Sequence, residues 1–426
     1  MRTTIHLVRR SAYAAALALL ATGVASVPAL AAATTPTTLT PSNGVGGDEF
    51  GFSAATSTTG AVTAVGAPEH GSSGAVYVFT GTGNAITQSA VLTPSNPQAD
   101  EQFGQTVSIS GNGETLVASA PGAAGTSGSD QGAVYIFSDA SGTWTQIAEL
   151  TAAGTSELGF SLAISADAST IVAGSPNSNS DAGEAFVFTQ SGSTYVEAQK
   201  LTEPTTAATA MTAAKKPKPA PAPTPAPVFP AQLGASTAIS ANGSTIAFGE
   251  PEAGVTDVFT KAAGASTWTQ TAQLHGGGSS VAVSGSGTII AAGQTGLNND
   301  NGEVFVFTES GGTFTTASEV LPPANTTKAA FGAGESVGIS SSGSVIAFGA
   351  PTATAGSAFE SGEVFVATET NGTWGLTGTD TEASPVSDDN LGGGDQGVAV
   401  AGNGTAIVAG ADAAGGTGQA DVFPVS

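Results

Sequence analysis

Acidic side chains crowd the segments between the apolar runs of this chain. They include Asp48, Glu49, Glu69, Asp100, Glu101, Asp130, Glu157, Asp181, Glu252, Asp300, Glu360, Asp388 and Asp389. Carboxylates at this density can hold a cation, meet a basic partner or, in pairs, carry general acid and base chemistry. Adjacent acids such as Asp388-Asp389 would suit a glycosidase by type, yet among 33 acids such pairs arise freely. One serine has the neighbours of a nucleophile, since Gly334-Glu335-Ser336-Val337-Gly338 matches G-x-S-x-G. That motif works at a strand–elbow–helix junction that exposes the serine. No helical periodicity accompanies it here, and its serine occupies a strand position that Thr106 and Ser161 fill elsewhere. Beyond residue 33 the imidazoles are His70 and His275, which lie in different parts of the pattern. A binding surface is the better use of the acids; the alternative is that they only keep a β-rich chain soluble.

Charge narrows the partners. All three Arg (Arg2, Arg9 and Arg10) lie at the amino terminus, followed by an apolar run from Ala12 to Val27 and the small residues Ala29-Leu30-Ala31. This reads as a secretory signal peptide over 1–33, too short for a membrane span. Beyond it six Lys face 33 acids, a formal charge of −27. Nucleic acid and anionic membranes would be repelled, whereas divalent cations, a basic protein or an extracellular glycan fit better. No later stretch is apolar for long enough to span a bilayer as a helix. The absence of Cys removes disulfides and thiolate metal sites, so packing and strand pairing must supply the stability. The chain is expected to be secreted or cell-surface, and monomeric.

The loops must be positioned by something, and a sevenfold repeat supplies it. Copies open near Phe50, Phe103, Leu158, Leu233, Gly277, Phe331 and Leu391. Each opening is followed by a second apolar run, such as AVTAVGAP or TIVAGSP, and a third, such as GAVYVF or GEVFVF. Short β-branched runs punctuated by Gly, Ser and Asn at this period are the signature of propeller blades. In copy two, Gln105–Ser110, Thr115–Ala120, Gly132–Phe137 and Trp144–Leu150 read as four antiparallel strands. Gly111-Asn112-Gly113 makes the first hairpin turn, because these residues accept positive φ. The fourth strand opens on Ile86, Trp144, Tyr195, Trp268, Phe314 or Trp374, a substitution pattern that fits blade packing rather than a glycan platform.

Copy seven stops before a fourth strand. At the other end Leu39-Thr-Pro-Ser-Asn repeats the Leu92-Thr-Pro-Ser-Asn that ends the fourth strand of copy one. The segment around 34–40 should therefore complete the last copy and close the ring, which removes exposed edges. The expected fold is all-β over 34–426: a seven-bladed propeller of four-stranded antiparallel blades, closed by the N-terminal strand. Residues 203–230, rich in Ala, Pro and Lys, cannot bury a core and read as a flexible insertion.

Phe50-Gly51 with Gly66-Ala67-Pro68, and Phe331-Gly332 with Gly349-Ala350-Pro351, resemble FG-GAP repeats. Phe103-Gly104 with Ala120-Pro121 and Leu158-Gly159 with Ser175-Pro176 come close. The resemblance implies a propeller like that of integrin α chains, adhesion or ligand binding, and no catalysis. It also implies calcium loops of alternating Asp and Asn between strands one and two. Here those turns read STTGAV, SGNGET, SADAST, SANGST, SGSGTI, SSSGSV and AGNGTA, with Asp167 their only aspartate. Family-type calcium sites, and any other cofactor, are thus not expected. In a four-stranded meander the loops after strands two and four share one rim. The acids named above gather there, where an integrin-like propeller takes its ligands. The expected function is a binding or adhesion module that presents this rim to a protein, glycan or cation. A structural envelope protein without a discrete ligand is the alternative, and a polysaccharide hydrolase or lyase ranks below both.

Overall fold

The computed structural model describes residues 35–125, 130–140, 142–203, 232–295, 302–320, 334–355, 357–394 and 396–425. The proposed signal peptide, Asp300, the opening at Phe331 and the insertion beyond Glu203 lie outside them. Seven four-stranded antiparallel sheets are present. Six are built from consecutive strands. Blade one, for example, comprises Ser53–Thr56, Val62–Ala67, Ala75–Thr80 and Thr87–Leu92. Blade seven takes three strands from the carboxyl end, Val398–Val400, Ala406–Ala411 and Gln419–Pro424, and its fourth from Thr37–Leu39. Thr37, Thr38 and Leu39 pair with Val422, Asp421 and Ala420, so the ring closes as the duplicated LTPSN segment implies.

The inner strands of neighbouring blades touch in cyclic order around a central channel. The third strand of each of blades one to six carries a register shift against the fourth, as between Val78 and Phe79. Such bulges sharpen the twist that lets flat sheets become wedges. Apolar residues lie between blades rather than in one central core. Phe103, Tyr135 and Phe137 pack with Val76 and Val78 of the blade before. At the hairpin rim, backbone N–H groups of Thr58, Gly111 and Ala166 reach the carbonyls of Gly111, Ala166 and Ala241, stitching consecutive turns together.

The repeated dipeptides now have a physical reason. Phe50, Phe103, Leu158, Leu233 and Leu391 are fully buried between blades. The following glycine has positive φ, as at Gly104 (94°), and its carbonyl abuts the GAP-type glycine of the preceding blade. A Cβ on Gly66 would sit 1.9 Å from the Gly104 oxygen, so a side chain there would force the blades apart. A parallel bridge such as Gly74↔Phe103 completes the clasp.

Candidate functional site

The clasps belong to the rim that carries the acids, and they decide how those acids are used. Two residues before the buried Phe or Leu stand Asp48, Glu101 and Asp389, and all three are buried. Asp48 accepts the Val45 N–H at 2.7 Å and lies 2.8 Å from His70 Nδ1. Asp389 accepts the Val386 N–H at 2.7 Å. Glu101 accepts the Gln98 N–H at 3.1 Å and the Tyr135 hydroxyl at 3.3 Å. Burial pushes its carboxyl up, and those two bonds partly oppose the rise. These three brace their own loops and face inward, away from any ligand on the rim.

Glu49, Asp100, Asp130 and Glu157 come together. With Phe52, Phe160, Pro68 and Pro121 they line a cavity of 330 Å³ spanning blades one to three. All four have positive φ, between 56° and 61°. Non-glycine residues adopt this conformation at a cost of order 1 kcal/mol. Here it is imposed by the clasp, in which Glu157 N–H donates to the Asp130 carbonyl and Asp100 N–H to the Ser72 carbonyl. Burial raises the Glu49 carboxyl, with smaller contributions from Glu69 and Asp412. Glu157 accepts a bond from the Asn177 amide, and Glu69 accepts one from Gln102 at 3.2 Å. Asp181 of blade three and Glu252, Glu360 and Asp388 of the later blades do not line this cavity. Gln396 reaches over the channel to the Leu162 carbonyl at 3.1 Å and narrows the axial passage.

The remaining sequence candidates are structural. Ser336 is buried on the inner side of blade six, where its hydroxyl accepts the Val398 N–H at 2.8 Å. Trp268 is buried and donates from Nε1 to the Gly243 carbonyl, and the Tyr195 hydroxyl does the same to Ala168. These two fourth-strand aromatics thus tie to a turn of their own blade. In the first turns, Asn112, Asp167, Asn242 and Asn403 turn their oxygens onto neighbouring N–H and hydroxyl groups. Burial would raise Asp167, but its bonds from Ser165 and Ser169 outweigh that and hold it below the usual range.

Sequence reasoning passed over a second acidic group. Along the middle of the third strand the copies read Tyr77, Tyr135, Phe186, Asp257, Phe305, Phe365 and Asp421. At the end of the second they read Ala67, Ala120, Ser175, Glu250, Gln294, Ala350 and Ala411. An acid replacing a ring at a buried register position was the available signal. Glu203, Glu250 and Asp257 offer carboxylate oxygens within 4.8 Å of one another at the junction of blades three and four. Among the described residues no other group of three metal-ligating side chains comes together this way.

The comparisons fit this architecture. The model of the family described as FG-GAP repeat matches residues 34–79 and 86–137. No curated protein matches the chain. The β-propeller domain of Myceliophteria thermophila Cps50 (Swd1) is similar in structure, with a TM-score of 0.55 and 10% identity over 92% of this chain and 100% of that one. The Pseudomonas aeruginosa periplasmic gluconolactonase PpgL is similar with a TM-score of 0.50 and 12% identity, over 78% of this chain and 86% of that one. A putative 6-phosphogluconolactonase from Bacteroides uniformis reaches 0.50 at 11% identity, over 80% and 85%. At such identities the likeness is one of fold alone. No helix among the described residues is long and apolar enough to cross a membrane. FG-GAP repeats are thus detected over residues 34–79 and 86–137, and the seven four-stranded sheets together form a closed β-propeller.

Proposed function

We propose that this propeller is an exported binding module whose acidic rim cavity grips a cationic group on an extracellular protein. The observation that carries the reading is the cavity of Glu49, Asp100, Asp130 and Glu157, flanked by Phe52 and Phe160 and without a basic residue in its lining. Four carboxylates favour a Lys or Arg side chain, and rings beside them add cation–π attraction. Adhesion is the use that the FG-GAP likeness suggests. The lactonase names of two structural neighbours support a second, weaker reading. A phosphorylated sugar would meet four like charges at this mouth, and the lining offers no imidazole or cation to activate water or polarise a carbonyl.

Calorimetric titration with a lysine-rich peptide at low salt tests the proposal. Saturable binding should weaken steeply with salt. It should fall roughly tenfold or more when Glu49→Gln, Asp100→Asn, Asp130→Asn and Glu157→Gln are combined. Binding that ignores these four changes would sink the reading. Hydrolysis of glucono-lactone by the pure chain would replace it with the enzymatic one. Export is tested separately, by fractionating cells that express the full chain.

A further inference from the structure

The carboxylates of blade four form a site that neither the rim nor the repeat pattern requires. Asp257 is fully buried on the third strand, Val255–Thr260, and Glu250 nearly so at the end of the second, Thr245–Glu250. The register pairs Glu250 with Val255 and Phe248 with Asp257, which puts both acids on one face of the sheet. That face meets blade three through Phe248, Phe259, Leu201 and Leu233. Glu203 enters from blade three, two residues after its outer strand Thr194–Leu201. So three carboxylates converge inside an apolar junction without a cationic side chain among them.

Their hydrogen bonding is incomplete. Both Asp257 oxygens, Oε1 of Glu250 and Oε1 of Glu203 are buried and accept no hydrogen bond. Gln273, the cross-strand neighbour of Asp257, is close enough to favour its ionised form, yet neither Asp257 oxygen has a partner in full hydrogen-bond geometry. Desolvation comes first, followed by the charge of Asp257 for Glu250 and the neighbouring Glu203 carboxyl for Asp257, and together these push both carboxyls well above their ordinary values. Buried carboxylates without donors need either shared protons or a bound cation.

We infer that Glu203, Glu250 and Asp257 form a binding site for one hard divalent cation, calcium by preference, that pins blade three to blade four. The donors are all oxygen, which excludes the softer transition metals as the best match. Oxygens within 4.8 Å of one another can share one calcium ion through bonds of about 2.4 Å, and calcium's flexible coordination suits carboxylates fixed by a core better than the near-ideal octahedron magnesium demands. Three carboxylates provide up to six oxygens, within reach of calcium's demand. Its position differs from the first-hairpin turns, whose polar side chains bond to their own backbone. The inference is independent of the rim reading.

The test uses the full chain after dialysis against EDTA. Calcium titrated by calorimetry should show one saturable site with release of protons, and affinity should rise with pH. The melting temperature should rise with added calcium, and less with magnesium. Asp257→Asn should weaken binding roughly tenfold or more. Glu250→Gln, which opens no cavity, should do the same should the first variant fail to fold. The combined rim variant Glu49→Gln, Asp100→Asn, Asp130→Asn and Glu157→Gln should keep wild-type calcium affinity. Absence of heat and of any melting shift up to about 1 mM calcium would overturn the inference in favour of shared protons. Wild-type affinity in Asp257→Asn and Glu250→Gln would overturn it in favour of a site elsewhere.

Discussion

Blades four and seven both put an aspartate where other blades put a ring, and they treat it in opposite ways. Asp421 accepts the Thr38 hydroxyl at 2.6 Å on one oxygen and the Gln419 amide at 3.4 Å on the other. Asp257 has neither donor: its fourth strand brings Gln273 without a bond, and Val255 stands where Gln419 does. Each blade also receives a glutamate two residues past the preceding outer strand, Glu382 in one and Glu203 in the other. Blade four adds Glu250 on the same sheet face as its aspartate, where blade seven has Ala411 and its third carboxylate, Asp389, lies beside Glu382 instead. One junction finishes its aspartate from within the protein. The other gathers charge and leaves it open, which is how a ligand site differs from a structural brace.

The comparison can be broken first at the donor. Removing Thr37–Leu39 takes the fourth strand from blade seven together with the Thr38 hydroxyl, and it should have the largest effect. Loss of a single cooperative melting transition is expected by calorimetry. A transition retained at the wild-type temperature would show that closure contributes nothing. Asp421→Asn is milder. It keeps the shape but loses the charge that Thr38 and Gln419 serve, and should destabilise by about 1–2 kcal/mol in urea unfolding. A gain in stability would show that blade seven is as unsatisfied as blade four. Tyr135→Phe sharpens the contrast from a third blade, since Glu101 then keeps only the Gln98 N–H. A cost of about 1 kcal/mol is expected; an unchanged denaturation midpoint would mean that water replaces the hydroxyl.

Much of the architecture was legible because its constraints are steric and local. Phe103-Gly104 and Gly66 can be read as a clasp, since the approach of Gly66 to the Gly104 oxygen excludes a side chain. Ring closure was readable from the duplicated LTPSN segment. Burial of Asp48, Glu101 and Asp389 was not, because a loop acid looks the same whether it faces water or folds back onto an N–H three residues earlier. The gathering of Glu49, Asp100, Asp130 and Glu157 depends on how three consecutive blades abut, and no spacing in one copy encodes it. Asp257 escaped notice for another reason: Val255, Val258 and Phe259 keep its strand apolar in pattern, so a single acid among them does not break the strand signal.

The most direct measurement is the melting temperature of cation-free wild type and of the Glu250→Gln, Asp257→Asn pair across about pH 5 to 8. Raised carboxyls mean that the folded chain holds protons the unfolded chain has released. Their contribution is fully present below the ordinary values of 4.5 and 3.8, and is lost as pH rises through the higher folded values. Glu363 and Glu382, pushed up to about 7 and about 8, chiefly by burial, leave a residual slope of the same sign in both proteins. Wild type should therefore lose stability more steeply than the pair, which should be more stable near pH 8 by on the order of 2 kcal/mol. Parallel curves, or a pair variant that melts lower at every pH, would contradict the reading of blade four as an unfinished cluster of charge.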